Sequence, residues 1–218
     1  MARKKESYSN VRQHMRPGDV IAFGGKGNFS QIIKWATRSS ISHVGVVLQS
    51  KLLIDGQPQQ GFFNQIIEST SNNGFSGVAI SRLSDRVNRY EGEIWWLPLS
   101  DATRSSLSLQ KFFNFCLHQE GKPFDTPQAV KSAMDTLDNV PVIGGATHNI
   151  EDFSKFFCSE LVAGALEAAG AIGKLNASEV TPIDLVRFAL FAPDYYQLKG
   201  SNRNINGHNT TDPEGFGI

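Results

Sequence analysis

Two periodicities divide the chain. Over the first hundred residues apolar positions come in short β-branched runs bounded by Gly, Pro, Asn and Asp, the pattern of strands. Arg16-Pro17-Gly18-Asp19 reads as a turn, because proline presets φ and glycine tolerates unusual φ. A short strand is expected at residues 20–23, a loop over Gly24-Gly25-Lys26-Gly27, and a short helix from Asn28 or Ser30 to about Arg38 carrying Ile32, Ile33 and Trp35. Further strands are expected at residues 42–48, 62–68, 77–81 and 93–97.

After Asp101, a good N-cap, the spacing changes to three and four. Leu109, Phe112, Phe113, Cys116 and Leu117 share one helical face that ends near Gly121. Residues 127–137 suggest a second helix, and residues 158–169 a third, closed by Gly170. Thr181-Pro182 places a capping hydroxyl before proline at the first helical position, which opens a helix to about Leu190. Residues 1–16 read as a polar leader and residues 199–218 as a flexible polar tail, since both lack apolar periodicity. Between them, residues 17–198 form one domain of the α+β class, a small antiparallel sheet packed against helices.

Composition narrows the function classes. The 218 residues are 40% hydrophobic and 10% aromatic, and the net charge is zero. A chain of this size buries roughly 70% of its unfolded surface without a metal or disulfide staple. Neutrality argues against nucleic acid or an anionic membrane held by bulk charge, so Trp95-Trp96 reads as core and not as a base-stacking platform. No apolar run approaches the ~18–20 residues of a membrane span. The basic start has no apolar h-region after it, so no signal peptide is visible and the cytoplasm is the expected location. Gly25-x-Gly27 misses the dinucleotide fingerprint, and no phosphate-binding P-loop pattern exists.

The two cysteines, Cys116 and Cys158, cannot build a four-thiolate zinc site. Cys158 is expected at the first turn of its helix, where the macrodipole favours thiolate. The competing reading makes it a small buried hydrophobe behind Phe156 and Phe157. Cys116 falls on an apolar helical stripe with nothing to activate it, so it serves as the internal control.

A nucleophilic thiol needs an imidazole to take its proton and a third group to hold that imidazole. Of five histidines, His14 lies in the leader, His208 in the tail, and His118 near a helix C-terminus; His148 sits in a loop ten residues before Cys158. His43 heads a run of Val and Leu on a rigid strand that would position a base well, or it is a satisfied strand-edge histidine. For the acid, Glu68 closes the apolar strand at 62–68 and requires a partner if buried. Its rivals are Asp19, which suits a turn, Asp125, and Glu160, an ordinary first-turn acid. His118, His148 and Asp152 match no known metal-ligand spacing, so neither metal nor cofactor is expected.

Four segments together resemble the circularly permuted papain-like cysteine hydrolases, the YiiX-like branch of the NlpC-type amidases. They are Pro17-Gly18-Asp19-Val20-Ile21, Ser42-His43-Val44-Gly45-Val46-Val47, Ile66-Ile67-Glu68-Ser69 and Phe157-Cys158-Ser159-Glu160-Leu161. Gly121-Lys122-Pro123-Phe124-Asp125 and Thr181-Pro182-Ile183-Asp184-Leu185 also look like that family's secondary motifs. In order, the segments span residues 17 to 185, about three-quarters of the chain. The resemblance implies a permuted papain-like fold with Cys158 as nucleophile, His43 as base and Glu68 as orienter. By analogy the Cys158 N–H is an oxyanion donor. The family motif carries Tyr where this chain has Phe124, so a hydroxyl role there is lost.

The expected activity is hydrolysis of an amide or peptide-like bond through an acyl-enzyme. Two alternatives stay open. One is an acyltransferase or lipase like the lecithin retinol acyltransferase relatives, with some of the 15 Phe residues lining an acyl pocket. The other is a non-catalytic binding module on the same fold. The expected partner is a small amide, peptide or acyl substrate.

Overall fold

Alternation along residues 43–48 sets the architecture. Val44, Val46 and Leu48 belong to one apolar cluster and Val47 to another, so the strand is covered on both faces. The computed structural model describes residues 3–25, 39–50, 53–54, 57–58, 64–72, 75–123 and 150–218. Within them lie strands β1 (Arg3–Lys5), β2 (Val20–Gly25), β3 (His43–Gln49), β4 (Leu53–Ile54), β5 (Gln57–Pro58), β6 (Gln65–Asn72), β7 (Phe75–Arg82), β8 (Gly92–Leu97) and β9 (Tyr195–Lys199). The helices are α1 (Tyr8–Val11), α2 (Leu83–Arg89), α3 (Asp101–Ser106), α4 (Leu109–Gln119), α5 (Ile150–Ala168) and α6 (Pro182–Arg187). Seven strands form one sheet in the order β1-β9-β8-β2-β3-β6-β7; only the β1/β9 pair is parallel. Most strands precede the longer helices along the chain and the sheet is almost wholly antiparallel, a mixed fold consistent with the α+β class.

Helix α5 packs across β3 and β6 and also touches α4 and α6. Val162, Ala163, Ala165 and Leu166 bury that helix among Val20, Val44, Val46, Ile67, Trp95 and Leu97. The opposite face of the sheet carries Ile21, Phe23, Ile66, Ile94 and Trp96, covered by Val11, Met15 and Leu83. Trp95 and Trp96 thus point into opposite cores, as their expected core role requires. Among the described residues no helix is long and apolar enough to cross a membrane.

The opening turn is held from inside. The buried Asp19 carboxylate accepts from the Arg16 N–H at 2.9 Å, from Trp96 Nε1 at 3.0 Å, from the Leu99 N–H at 3.0 Å, and from Arg104. The α6 start follows the sequence closely. The Thr181 hydroxyl accepts from the Asp184 N–H at 3.4 Å, and Asp184 accepts from the Thr181 N–H at 3.2 Å, a capping box with Pro182 just inside.

Several expectations need correction. Gly24 and Gly25 continue β2, paired with Glu93 and Gly92, instead of forming a loop. The helix expected from Asp101 to Gly121 is two helices, because Ser108 caps a second start and its N–H donates to the Ala169 carbonyl at 2.8 Å. Helix α5 begins at Ile150, so Cys158 is its ninth residue and Glu160 its eleventh; neither stands in a first turn. The sixteen-residue leader is part of the domain: β1 pairs with β9, and Val11 and Met15 are buried. The tail also packs down. Ile205 and His208 are buried, the Trp95 indole donates to the Arg203 carbonyl at 3.2 Å, and the Ile205 N–H donates to the Tyr195 hydroxyl at 2.8 Å. Composition missed this because one Ile and one His anchor it amid polar neighbours. The helices expected at 28–38 and 127–137, together with Phe124, Asp125 and His148, lie outside the described residues.

Candidate functional site

β3 and β6 are antiparallel neighbours, with Val46 opposite Ile67 and Val47 opposite Ile66. Continuing that register sets Gly45 beside Glu68, and the two approach closely: a Cβ on Gly45 would stand 3.2 Å from the Glu68 Cβ. Glycine therefore leaves room for the carboxylate to turn along β3 toward His43, the strand's first residue. His43 Nε2 lies 2.8 Å from Glu68 Oε2. Both side chains are buried, and the imidazole packs beside the Phe23 ring at a centroid distance of 5.4 Å.

Three more groups close around the carboxylate. Ser81 on β7 donates to Oε1 at 3.0 Å, and Arg86 on α2 donates from Nη2 to Oε2 at 2.9 Å. Arg86 Nε also lies 2.7 Å from Oε1 as an ion pair, though its N–H is not aligned for a hydrogen bond. Burial alone would push the Glu68 carboxyl up; the His43 hydrogen bond and the Arg86 charge outweigh it and hold the group below the usual carboxylate value. The result is an enclosed, ionised carboxylate fixed to one edge of an imidazole.

Tyr90 follows α2 and packs on Phe23, with the ring centroids 4.9 Å apart and the planes tilted by 57°. Burial pushes its phenol well above the ordinary value; Arg86 and a hydrogen bond with Ser42 oppose that, and the Glu68 and Cys158 charges add to it. Cys158 is therefore within electrostatic reach of the same group. It approaches on α5, in the cluster containing Val44, Val46 and Ile67, and its charge is felt at Tyr90, whose ring packs on Phe23 beside His43.

No family profile matches the chain, and no curated protein matches it. Among solved structures it shows a weak likeness to metalloprotein yiiX from Escherichia coli O157:H7, DUF1105, at 19% identity and a TM-score of 0.43. That likeness covers 71% of this chain and 66% of the yiiX chain, just short of two thirds of the latter. Among the described residues, no group of three or more His, Cys, Asp or Glu side chains is placed to hold a metal ion.

The structure thus joins His43 to Glu68 directly and sets Cys158 on the helix packed over their strands. Cys158 and Cys116 are both fully buried, so burial does not separate them. Their surroundings do. Cys116 lies on the α4 apolar stripe, where burial pushes its thiol up to about 12. Cys158 does not stand at a helix start: a ninth helical residue lies beyond the first turn where the macrodipole acts.

The remaining candidates sort by place. Asp19 sits at the far end of β2 from Phe23, the residue paired with His43, and serves the opening turn. Burial pushes the Glu160 carboxyl up. His14 and His118 are exposed. His208 pins the tail, with Nδ1 3.2 Å from the Val186 carbonyl and Nε2 3.3 Å from that of Ala192. Sequence reasoning missed α2 entirely, and with it Arg86 and Tyr90. The signal was there: Leu83, Arg86, Val87 and Tyr90 fall at i, i+3, i+4 and i+7, one helical face. A charged residue within an otherwise apolar stripe hid it.

Proposed function

We propose that this chain is a thiol hydrolase of the permuted papain-like type, cleaving an amide or peptide-like bond with Cys158, His43 and Glu68. The observation that carries the reading is the buried His43–Glu68 pair at 2.8 Å, on strands covered by the Cys158 helix. A buried carboxylate that fixes an imidazole's tautomer is what a thiol's base requires, and a strand-edge histidine with only a packing role has no need of it.

With Nε2 engaged by Glu68, Nδ1 is the nitrogen that takes the Cys158 proton. The thiolate sulfur then adds to the substrate carbonyl carbon. Collapse of the tetrahedral adduct breaks the C–N bond as the imidazolium returns its proton to the leaving amine. Water, deprotonated by the same nitrogen, adds to the thioester and releases the acid, and the sulfur recovers its proton. Glu68 remains ionised throughout and holds the ring in place.

The test uses Cys158→Ala and Cys116→Ala in the full chain, assayed against short peptide amides and lipid esters, with intact mass to locate any acyl adduct. The reading expects an adduct on Cys158, turnover lost in C158A, and turnover kept in C116A. Turnover surviving in C158A ends it. Turnover of lipid esters alone would move the assignment to the acyltransferase or lipase alternative.

A further inference from the structure

Glu68 is a single negative charge with almost no solvent contact, and a carboxylate in that position needs a cation. Two stand within reach: Arg86, always charged, and His43, charged only when protonated. The His43 contact and the Arg86 charge both hold the carboxyl down, but only Arg86 carries its charge whatever the state of the imidazole. Its guanidinium addresses both carboxylate oxygens from α2 and lies over two rings, 5.2 Å from the Phe23 centroid and 5.6 Å from that of Tyr90. Those aromatic faces support the guanidinium beside the carboxylate, with 24% of the arginine side chain exposed.

We propose that Arg86 is a positioning residue of this site: it neutralises Glu68, so that His43 remains an uncharged base whose Nε2–H points at the carboxylate. The consequence for turnover rests on the thiol-hydrolase reading; the charge balance does not. Among the described residues, the titratable groups around His43 are Glu68 from β6, Arg86 and Tyr90 from α2 and its end, and Cys158 from α5. β2 presents the uncharged Phe23, and β7 presents Ser81, which is spent on Glu68.

The experiment follows the His43 ring by nitrogen-15 NMR through a pH titration, in the full chain labelled at histidine, with His43 assigned by the signal lost in His43→Gln. In Arg86→Gln the imidazole must become the carboxylate's cation, so its titration midpoint rises by about one pH unit or more, a tenfold gain in proton affinity. Arg86→Lys keeps the charge but loses the fork, and gives a smaller rise. In a Glu68→Gln background the Arg86→Gln shift is smaller, because no carboxylate is left seeking a second cation, and a merely structural arginine would not produce that dependence. A folded Arg86→Gln with an unmoved midpoint, or an equal shift with Glu68→Gln already present, overturns the proposal. If the glutamine variant does not fold, Arg86→Met, which also removes the charge, decides: an unmoved midpoint overturns it. The same titration in Cys158→Ala retains the Arg86→Gln shift. A failed hydrolase reading, seen as turnover without the thiol, is thus told apart from a failed role for Arg86.

Discussion

Replacing Glu68 by glutamine separates its charge from its shape. A glutamine oxygen at the Oε2 position keeps the His43 and Arg86 Nη2 contacts, while its amide faces Ser81, whose hydroxyl can turn to accept, and Arg86 Nε, which must shift away by a small rotation. The geometry survives and the charge goes, stranding the Arg86 guanidinium. Breaking a fully buried pair costs about 3–5 kcal/mol, but Arg86 is 24% exposed and partly hydrated, so the expected loss is about 2 kcal/mol. For a chain this size that lowers the melting midpoint by about 4–8 °C. Glu68→Leu also strands the His43 N–H and the Ser81 hydroxyl, raising the loss to about 4 kcal/mol. The sign with pH follows from the lowered native pKa. Glu68 adds stability in full above its unfolded pKa of about 4.3 and loses that contribution as pH falls through the lower native value. Urea unfolding read by the fluorescence of the buried Trp95 and Trp96 should show the wild-type advantage over Glu68→Gln at pH 7, narrowing below about pH 4.3. Equal stabilities at pH 7, or a gap that persists undiminished to pH 3, would refute the reasoning.

Two further perturbations test the frame around the site. Asp19→Asn turns one of two acceptor oxygens into a donor facing two N–H groups, so it should cost about 2–4 kcal/mol in urea unfolding while the His43 titration stays put; a loss below about 0.5 kcal/mol would show the turn is not held this way. Gly45→Ala would ordinarily stabilise a strand, yet here the new methyl meets the Glu68 Cβ at 3.2 Å and the Ile67 carbonyl at 3.3 Å. Thermal melting should therefore show destabilisation by about 1–3 kcal/mol, and a more stable alanine variant would mean the carboxylate does not need that space.

The sheet strands on either side of the site were readable because β-branched runs bounded by turn residues leave few other options, and His43 and Glu68 stood out as polar residues ending such runs. The capping box at Thr181 was readable for the same local reason. What escaped were long-range pairings. Nothing within Arg3-Lys4-Lys5 announces a strand whose partner lies at residues 195–197, and no local pattern announces that Ile205 and His208 fold back onto the core. The start of α5 was misplaced because the apolar small-residue stretch that defines it begins at Cys158, while the turns before it carry Asp, Ser and Lys. Arg86 was invisible because its meaning comes from a carboxylate eighteen residues away.

The parallel pairing of β1 with β9 has a consequence for synthesis. β1 is made long before it can be placed, since its hydrogen-bonding edge does not exist until residues 195–199 have left the ribosome and docked on β8. Until then β8 is an open flank, and the nascent chain must carry that unpaired edge while the roughly one hundred residues between β8 and β9 are made. So high a contact order predicts slow final closure, and it makes truncation at the carboxyl end an injury to the amino end as well.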